Sequence, residues 1–153
     1  MSRRPVSASN GSMTIRRLLL ALLVVGLIVT GTDLLLLDHH EDAWQLIPLI
    51  LIGLTLGVVI WHLAARDATS LRALQAAMVL FLFAAATGIV LHYRGNMEFQ
   101  LEMDPALSGM ALYRKAIVAK TPPALAPGAM IQLGLIGLAY TFRHPALEAR
   151  RNP

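Results

Sequence analysis

Long apolar runs separated by short charged segments form the dominant pattern of this chain. They extend from about Ile15 to Leu37, Ala43 to Ala65, Leu71 to Tyr93 and Pro123 to Phe142. Each approaches or exceeds the roughly 20 residues needed to cross a hydrocarbon core of about 30 Å at about 1.5 Å per residue. The pattern predicts an all-α integral membrane protein with four transmembrane helices in an up-down bundle. The first run continues through Leu34–Leu37 with no small-residue cleavage site after it, and so reads as a retained helix rather than a signal peptide. Trp44 and Trp61 stand near the two ends of the second run. Their separation, roughly 25 Å along a helix, matches that of the two interfacial aromatic belts. Pro48 falls early in that run, where its missing N–H costs least.

The segments between the runs predict the rest of the architecture. Thr69 or Ser70 is a candidate N-cap for the third helix, and a link of about five residues makes the second and third helices an antiparallel hairpin. The long connection 94–121 contains M-E-F-Q-L-E-M-D over Met97–Asp104, a strict apolar–polar alternation that predicts an extended flap at the membrane surface. After Pro105, Ser108 is placed to cap a short helix through about Lys120. Met110, Tyr113 and Ile117 share one face of that helix, which suits an interfacial orientation. Thr121 is an N-cap candidate for the fourth helix, with Pro127 a source of a bend near its start. Residues 1–13 read as a disordered N-terminus, 14–143 as a single transmembrane domain and 144–153 as a short basic tail.

Composition supports the membrane reading. The chain is 56% hydrophobic and 14% charged, against about 25% charged in a soluble domain. It has no cysteine, which excludes disulfides, thiolate nucleophiles, cysteine-ligated metal centres and covalent c-type haem. The net charge of +4 comes from arginines at helix ends rather than from a basic face with aromatics, so nucleic acid is excluded as a partner. With the N-terminus inside, the inner side holds Arg3, Arg4, Arg16, Arg17, Arg66, Arg72, Arg143, Arg150 and Arg151, and the outer side only Arg94, Arg114, Lys115 and Lys120. The positive-inside rule therefore predicts both termini inside, in a cell membrane that composition suggests is a bacterial inner membrane.

The candidate chemistry gathers at the outer end. Asp33–Gln45 carries four acids, two histidines and a tryptophan. Asp33 lies near the outer edge of the apolar region, and Gly26, Thr30, Asp33, Leu37 and His40 follow one another by three- and four-residue steps. That spacing predicts Asp33 pointing into the bundle, toward a third-helix face of Ala77, Ala84, Gly88 and His92. Asp33, Asp38, His39, His40, His92, Glu98 and Glu102 are the candidate ligands for a divalent cation such as zinc or manganese, although no ligand motif of fixed spacing is present. Haem is disfavoured: His62 and His144 form a possible inner pair, but both lie near or beyond helix ends rather than well inside the bundle. Gly53-x-x-x-Gly57 in the second helix and Gly134 with Gly137 in the fourth are small-residue faces for internal packing or for a partner. These features favour a non-catalytic accessory subunit or interaction module, in contact with lipid and with another membrane protein or a second copy. The alternative is a metal, proton or haem site built on Asp33, His40 and His92 with carboxylates from the outer loop.

Overall fold

The computed structural model describes residues 6–38, 43–119 and 125–148. The elements are α1 (Val6–Leu36), α2 (Ala43–Ala65), α3 (Ala68–Met103), α4 (Gly109–Ile117), α5 (Leu125–Thr141) and α6 (Pro145–Glu148), and no strand occurs among the described residues. Three of them, α1, α2 and α3, are long and apolar enough to cross a membrane, and α5 is a shorter apolar helix. Large apolar side chains point outward along the length of these helices, among them Leu22, Val29, Ile50, Leu54, Phe83 and Leu135. A soluble monomer rarely tolerates such continuous apolar surface, whereas hydrocarbon solvates it.

The second apolar run coincides with α2, but the other boundaries shift. Helix α1 begins at Val6, inside the segment expected to be disordered. Once the apolar run has supplied a nucleus, each added residue costs little and gains a hydrogen bond. Helix α3 begins at Ala68, so the link from α2 is only Arg66 and Asp67, and Asp67 rather than Thr69 or Ser70 is the N-cap. Its carboxylate accepts from the Ser70 backbone N–H at 2.8 Å. Those bonds hold the Asp67 carboxyl below its ordinary range. Arg66 takes a left-handed conformation, φ 51°, that closes the end of α2.

The expected extended flap is helical instead: α3 continues without interruption to Met103. Met, Glu, Gln and Leu are all strong helix formers, and the helix arrives already propagating, so a short alternation cannot override it. Asp104 adopts φ −146°, as the residue before a proline prefers, and its side chain accepts from the Ala106 N–H at 3.2 Å in the turn. Helix α4 then folds back against α3. Tyr93 and Tyr113 meet with ring centroids 6.0 Å apart, and the Asn96 side chain donates to the Ala116 carbonyl at 3.0 Å. Ser108 occupies the N-cap of α4 but makes no side-chain capping bond. The Met110, Tyr113 and Ile117 face remains exposed.

The core runs between α1, α2, α3 and α5 through Leu23, Leu27, Ile52, Val59, Met78, Phe81 and Leu133. The most extensive pairing is α3 with α5, which run in opposite directions. Along it Gly88 admits Pro127, Gly134 admits Leu82 and Gly137 admits Met78. Pro127 therefore sits in the first turn of α5, where its missing N–H costs nothing, and fills the space over a glycine. Gly26 and Gly31 of α1 serve the same purpose against Leu133 and Ile52. A Cβ at Gly134 would lie 2.9 Å from Leu82 Cδ2 and 3.1 Å from the Met78 carbonyl oxygen. Gly134→Leu is therefore expected to lower stability by about 1–3 kcal/mol through overpacking. Gly53→Leu, at a glycine with open space around it, should not lower the thermal midpoint in detergent. Equal midpoints for the two variants would contradict this packing.

Candidate functional site

One end of the bundle, the inner end on the orientation expected from charge, holds a buried polar network built from three helices and a turn. His62 closes the last turn of α2, Ser70 opens α3, and Tyr140 closes α5; all three are buried. His62 Nδ1 lies 2.9 Å from Ser70 Oγ, and His62 Nε2 lies 2.8 Å from Tyr140 Oη. The Ser70 hydroxyl donates to the Asp67 carbonyl at 3.0 Å, which leaves its oxygen to accept. The proton assignments follow in sequence. His62 Nδ1–H donates to Ser70, and Nε2 then accepts from the Tyr140 hydroxyl. The chain of bonds is complete, with no vacant lone pair on either His62 nitrogen for a metal or haem iron.

Arg16 of α1 adds the fourth long helix. Its guanidinium donates to the carbonyls of Tyr140 at 2.8 Å, Phe142 at 3.1 Å and Arg143 at 2.9 Å. These are carbonyls at the C-terminus of α5, which have no intrahelical partner, and the cation sits at the negative end of the helix dipole. His144 packs edge-on beside both rings, 5.9 Å from His62 and 5.6 Å from Tyr140 between centroids. Its Nδ1 accepts from the Ala146 N–H at 3.3 Å, a role that only the neutral ring can take. Burial lowers its pKa, and the charge of Arg16 adds in the same direction. Between these groups and Arg17 and Arg66 lies a cavity of about 340 Å³.

The expected outer constellation is dispersed over the described residues. Asp33 is exposed and does not point into the bundle. Helix α1 turns Leu23, Leu27, Gly31 and Leu34 inward, and Asp33 is rotated about 100° from Leu34. A carboxylate so near the helix end reaches the head-group region and gains nothing from burial. Asp38, Glu98 and Glu102 are exposed as well. Among the described residues no three His, Asp or Glu side chains come together as a metal site. His39 and His40 lie outside the described residues. His92 is half-buried and faces a different environment. It stands at the outer end of a cleft of about 650 Å³ between α2 and α3, floored by Thr30 and Leu34 of α1 and Pro127 and Met130 of α5.

The four small-residue positions divide cleanly. Gly134 and Gly137 are buried in the α3–α5 contact, whereas a Cβ at Gly53 or Gly57 would meet nothing within 4 Å. The inner network itself was missed as a unit. Its traces in sequence are Asp67-x-x-Ser70, a capping pair just after a run whose last turn carries His62, and the Tyr140-x-x-x-His144 spacing at the end of the last run. Comparison with protein-family models, curated proteins and solved structures finds no match for this chain. Function must therefore be read from the geometry alone.

Replacing Tyr140 by Phe removes the donor to His62 Nε2 and leaves a buried acceptor without a partner. Such a loss costs about 1–3 kcal/mol. Tyr140→Phe is expected to lower the thermal midpoint of the detergent-purified protein measurably, whereas Tyr93→Phe, outside the network, should not. An unchanged midpoint for Tyr140→Phe would show that the bond contributes nothing.

Proposed function

We propose that this chain is a four-span membrane protein with both termini inside, acting as a non-catalytic accessory subunit that docks a helix of another membrane protein. The observation that carries the reading is the open face of α2. Gly53 and Gly57 present a close-packing surface with nothing against it, while Gly26, Gly31, Gly88, Gly134 and Gly137 are each covered by a neighbour. In hydrocarbon, where helices gain no hydrophobic energy from association, small-x-x-x-small faces allow the backbone approach that makes helix–helix contact favourable. Ile50, Leu54 and Trp61 flank the face and are themselves exposed. The inner network is closed on itself, which leaves it a structural rather than a reactive role.

The orientation rests on charge. The contacts of Arg16 with the end of α5, and of His62 with Ser70, gather Arg16, Arg17, Arg66, Arg72 and Arg143 at one end of the bundle. Arg94, Arg114 and Lys115 lie toward the other. Helix α5, at roughly 26 Å, spans nearly the hydrocarbon core of about 30 Å. Helix α3, at roughly 54 Å, carries its last turns beyond it. The native chain has no cysteine, so single cysteines report cleanly. In whole cells a membrane-impermeant thiol reagent should label Val118→Cys and leave Glu148→Cys unlabelled until the membrane is opened. Labelling of both from outside would overturn the even number of spans.

The docking reading is tested by a photo-crosslinking residue placed at Leu54. It should yield one discrete heteromeric product, and Gly53→Leu with Gly57→Leu should abolish that product without lowering the amount of folded protein. A product of twice the monomer mass would make the partner a second copy. Loss of neither product nor complex in the double variant would sink the reading.

A further inference from the structure

The cleft between α2 and α3 is a second feature, remote from the open glycine face, and its shape is informative. It is lined along α3 from Leu80 to Asn96, a length of roughly 24 Å. A long, largely apolar cleft of this kind can take an extended hydrocarbon chain along α3. Its total volume falls within the range of about 300–1,000 Å³ typical of ligand sites.

The lining changes character along its length. The half away from His92 is apolar, with Leu51, Leu80, Phe83 and Met130, and the other end carries Gln45, His92 and Asn96. Gln45, His92 and Asn96 each already engage another group, and the Asn96 amide donates to the Ala116 carbonyl at 3.0 Å. Trp44 and Phe83 flank the cleft with 61% and 68% of their surface exposed, so it opens sideways into the bilayer. Among the described residues no Asp, Glu, Lys or Arg lines it. A phosphate head group entering such a site would lose water without gaining a counter-charge, which is costly in a medium of low dielectric. A carbonyl or hydroxyl head, in contrast, finds amide and imidazole partners and needs no counter-ion.

From this combination we propose that the α2–α3 cleft binds a neutral long-chain lipid, its chain along Leu80–Gly88 and its carbonyl or hydroxyl head at His92, Gln45 and Asn96. Two sources supply that chemistry: a quinone with an apolar tail, and a diacylglycerol or related uncharged glyceride. The lipid enters laterally from the outer leaflet, past Trp44.

Native mass spectrometry of the detergent-purified full-length protein provides the test. It is titrated separately with a decyl-substituted benzoquinone, with dioctanoylglycerol and with dioleoylphosphatidylglycerol. One of the two neutral probes should add with one-to-one saturation, and which one binds identifies the source. The phosphatidylglycerol should show only unsaturable adducts. His92→Leu should weaken the neutral probe about tenfold, as loss of about one good hydrogen bond does. His92→Gln, which retains hydrogen-bonding groups, should keep binding within a few-fold. Thr87→Phe adds bulk at an exposed cleft position and should abolish binding while leaving the helical circular dichroism intact. Leu36→Ala, outside the cleft, should bind as the native protein does. The proposal is overturned if neither neutral probe saturates, if phosphatidylglycerol binds equally well, or if His92→Leu and Thr87→Phe both bind normally. A crosslink from Phe83 to a second protein, with no lipid adduct, would overturn it as well.

Discussion

One continuous path of hydrogen bonds joins the four long helices at a single level. It runs from the Asp67 carbonyl through Ser70 and His62 to Tyr140, and the Tyr140 backbone carbonyl is held in turn by Arg16. Helices in hydrocarbon meet no water that would drive them together, so directional bonds and close packing must set their arrangement. Here the bonds set axial register. With His62 opposite Ser70 and Tyr140, α2, α3 and α5 have little freedom to slide by a turn. The glycine contacts of α5 then meet their partners: Gly137 faces Met78, Gly134 faces Leu82 and Gly88 receives Pro127. A one-turn slip of about 5.4 Å would place side chains against side chains at each of these positions.

The two ends of the bundle are built differently. At the inner end the link between α2 and α3 is two residues long, Arg66 takes φ 51° and the polar groups are mutually bonded. At the other end the two helices border a cleft of about 650 Å³. That cleft opens on one side of the bundle, beside the exposed Trp44 and Phe83.

The all-helical class and the full length of α2 were legible because a long, uninterrupted apolar run has few other ways to satisfy its backbone in a membrane. The α3 extension was not. In M-E-F-Q-L-E-M-D the alternation of polarity has the period of a strand, but every residue before Asp104 is compatible with a helix that is already growing. Periodicity over eight residues is a weaker signal than propagation from a stable span. The orientation of Asp33 failed for a related reason. Three- and four-residue steps identify which residues share a face, yet the face that turns inward is decided by Leu23, Leu27 and Leu34, whose bulk fills the core. The clasp was illegible because its members are spread over the chain: Tyr140 and His62 are 78 positions apart and Arg16 and Tyr140 124. Only packing brings them together.

The division of the small residues follows from these constraints. Once register is set by the clasp, Gly134 and Gly137 on α5 and Gly26 and Gly31 on α1 each face a bulky side chain from a neighbour, and their role is internal. Helix α2 is different. Its inward positions, Ile52, Thr55, Val59 and His62, are spaced by three and four and already complete its contact with the bundle. Gly53 and Gly57 fall one step round the helix from Ile52 and lie outside that stripe. Glycine in a helix interior is less favourable than alanine by about 0.5–1 kcal/mol. Two such residues four apart on a face that the fold does not use carry a cost with no compensation inside the monomer. A helix docked from outside would supply it.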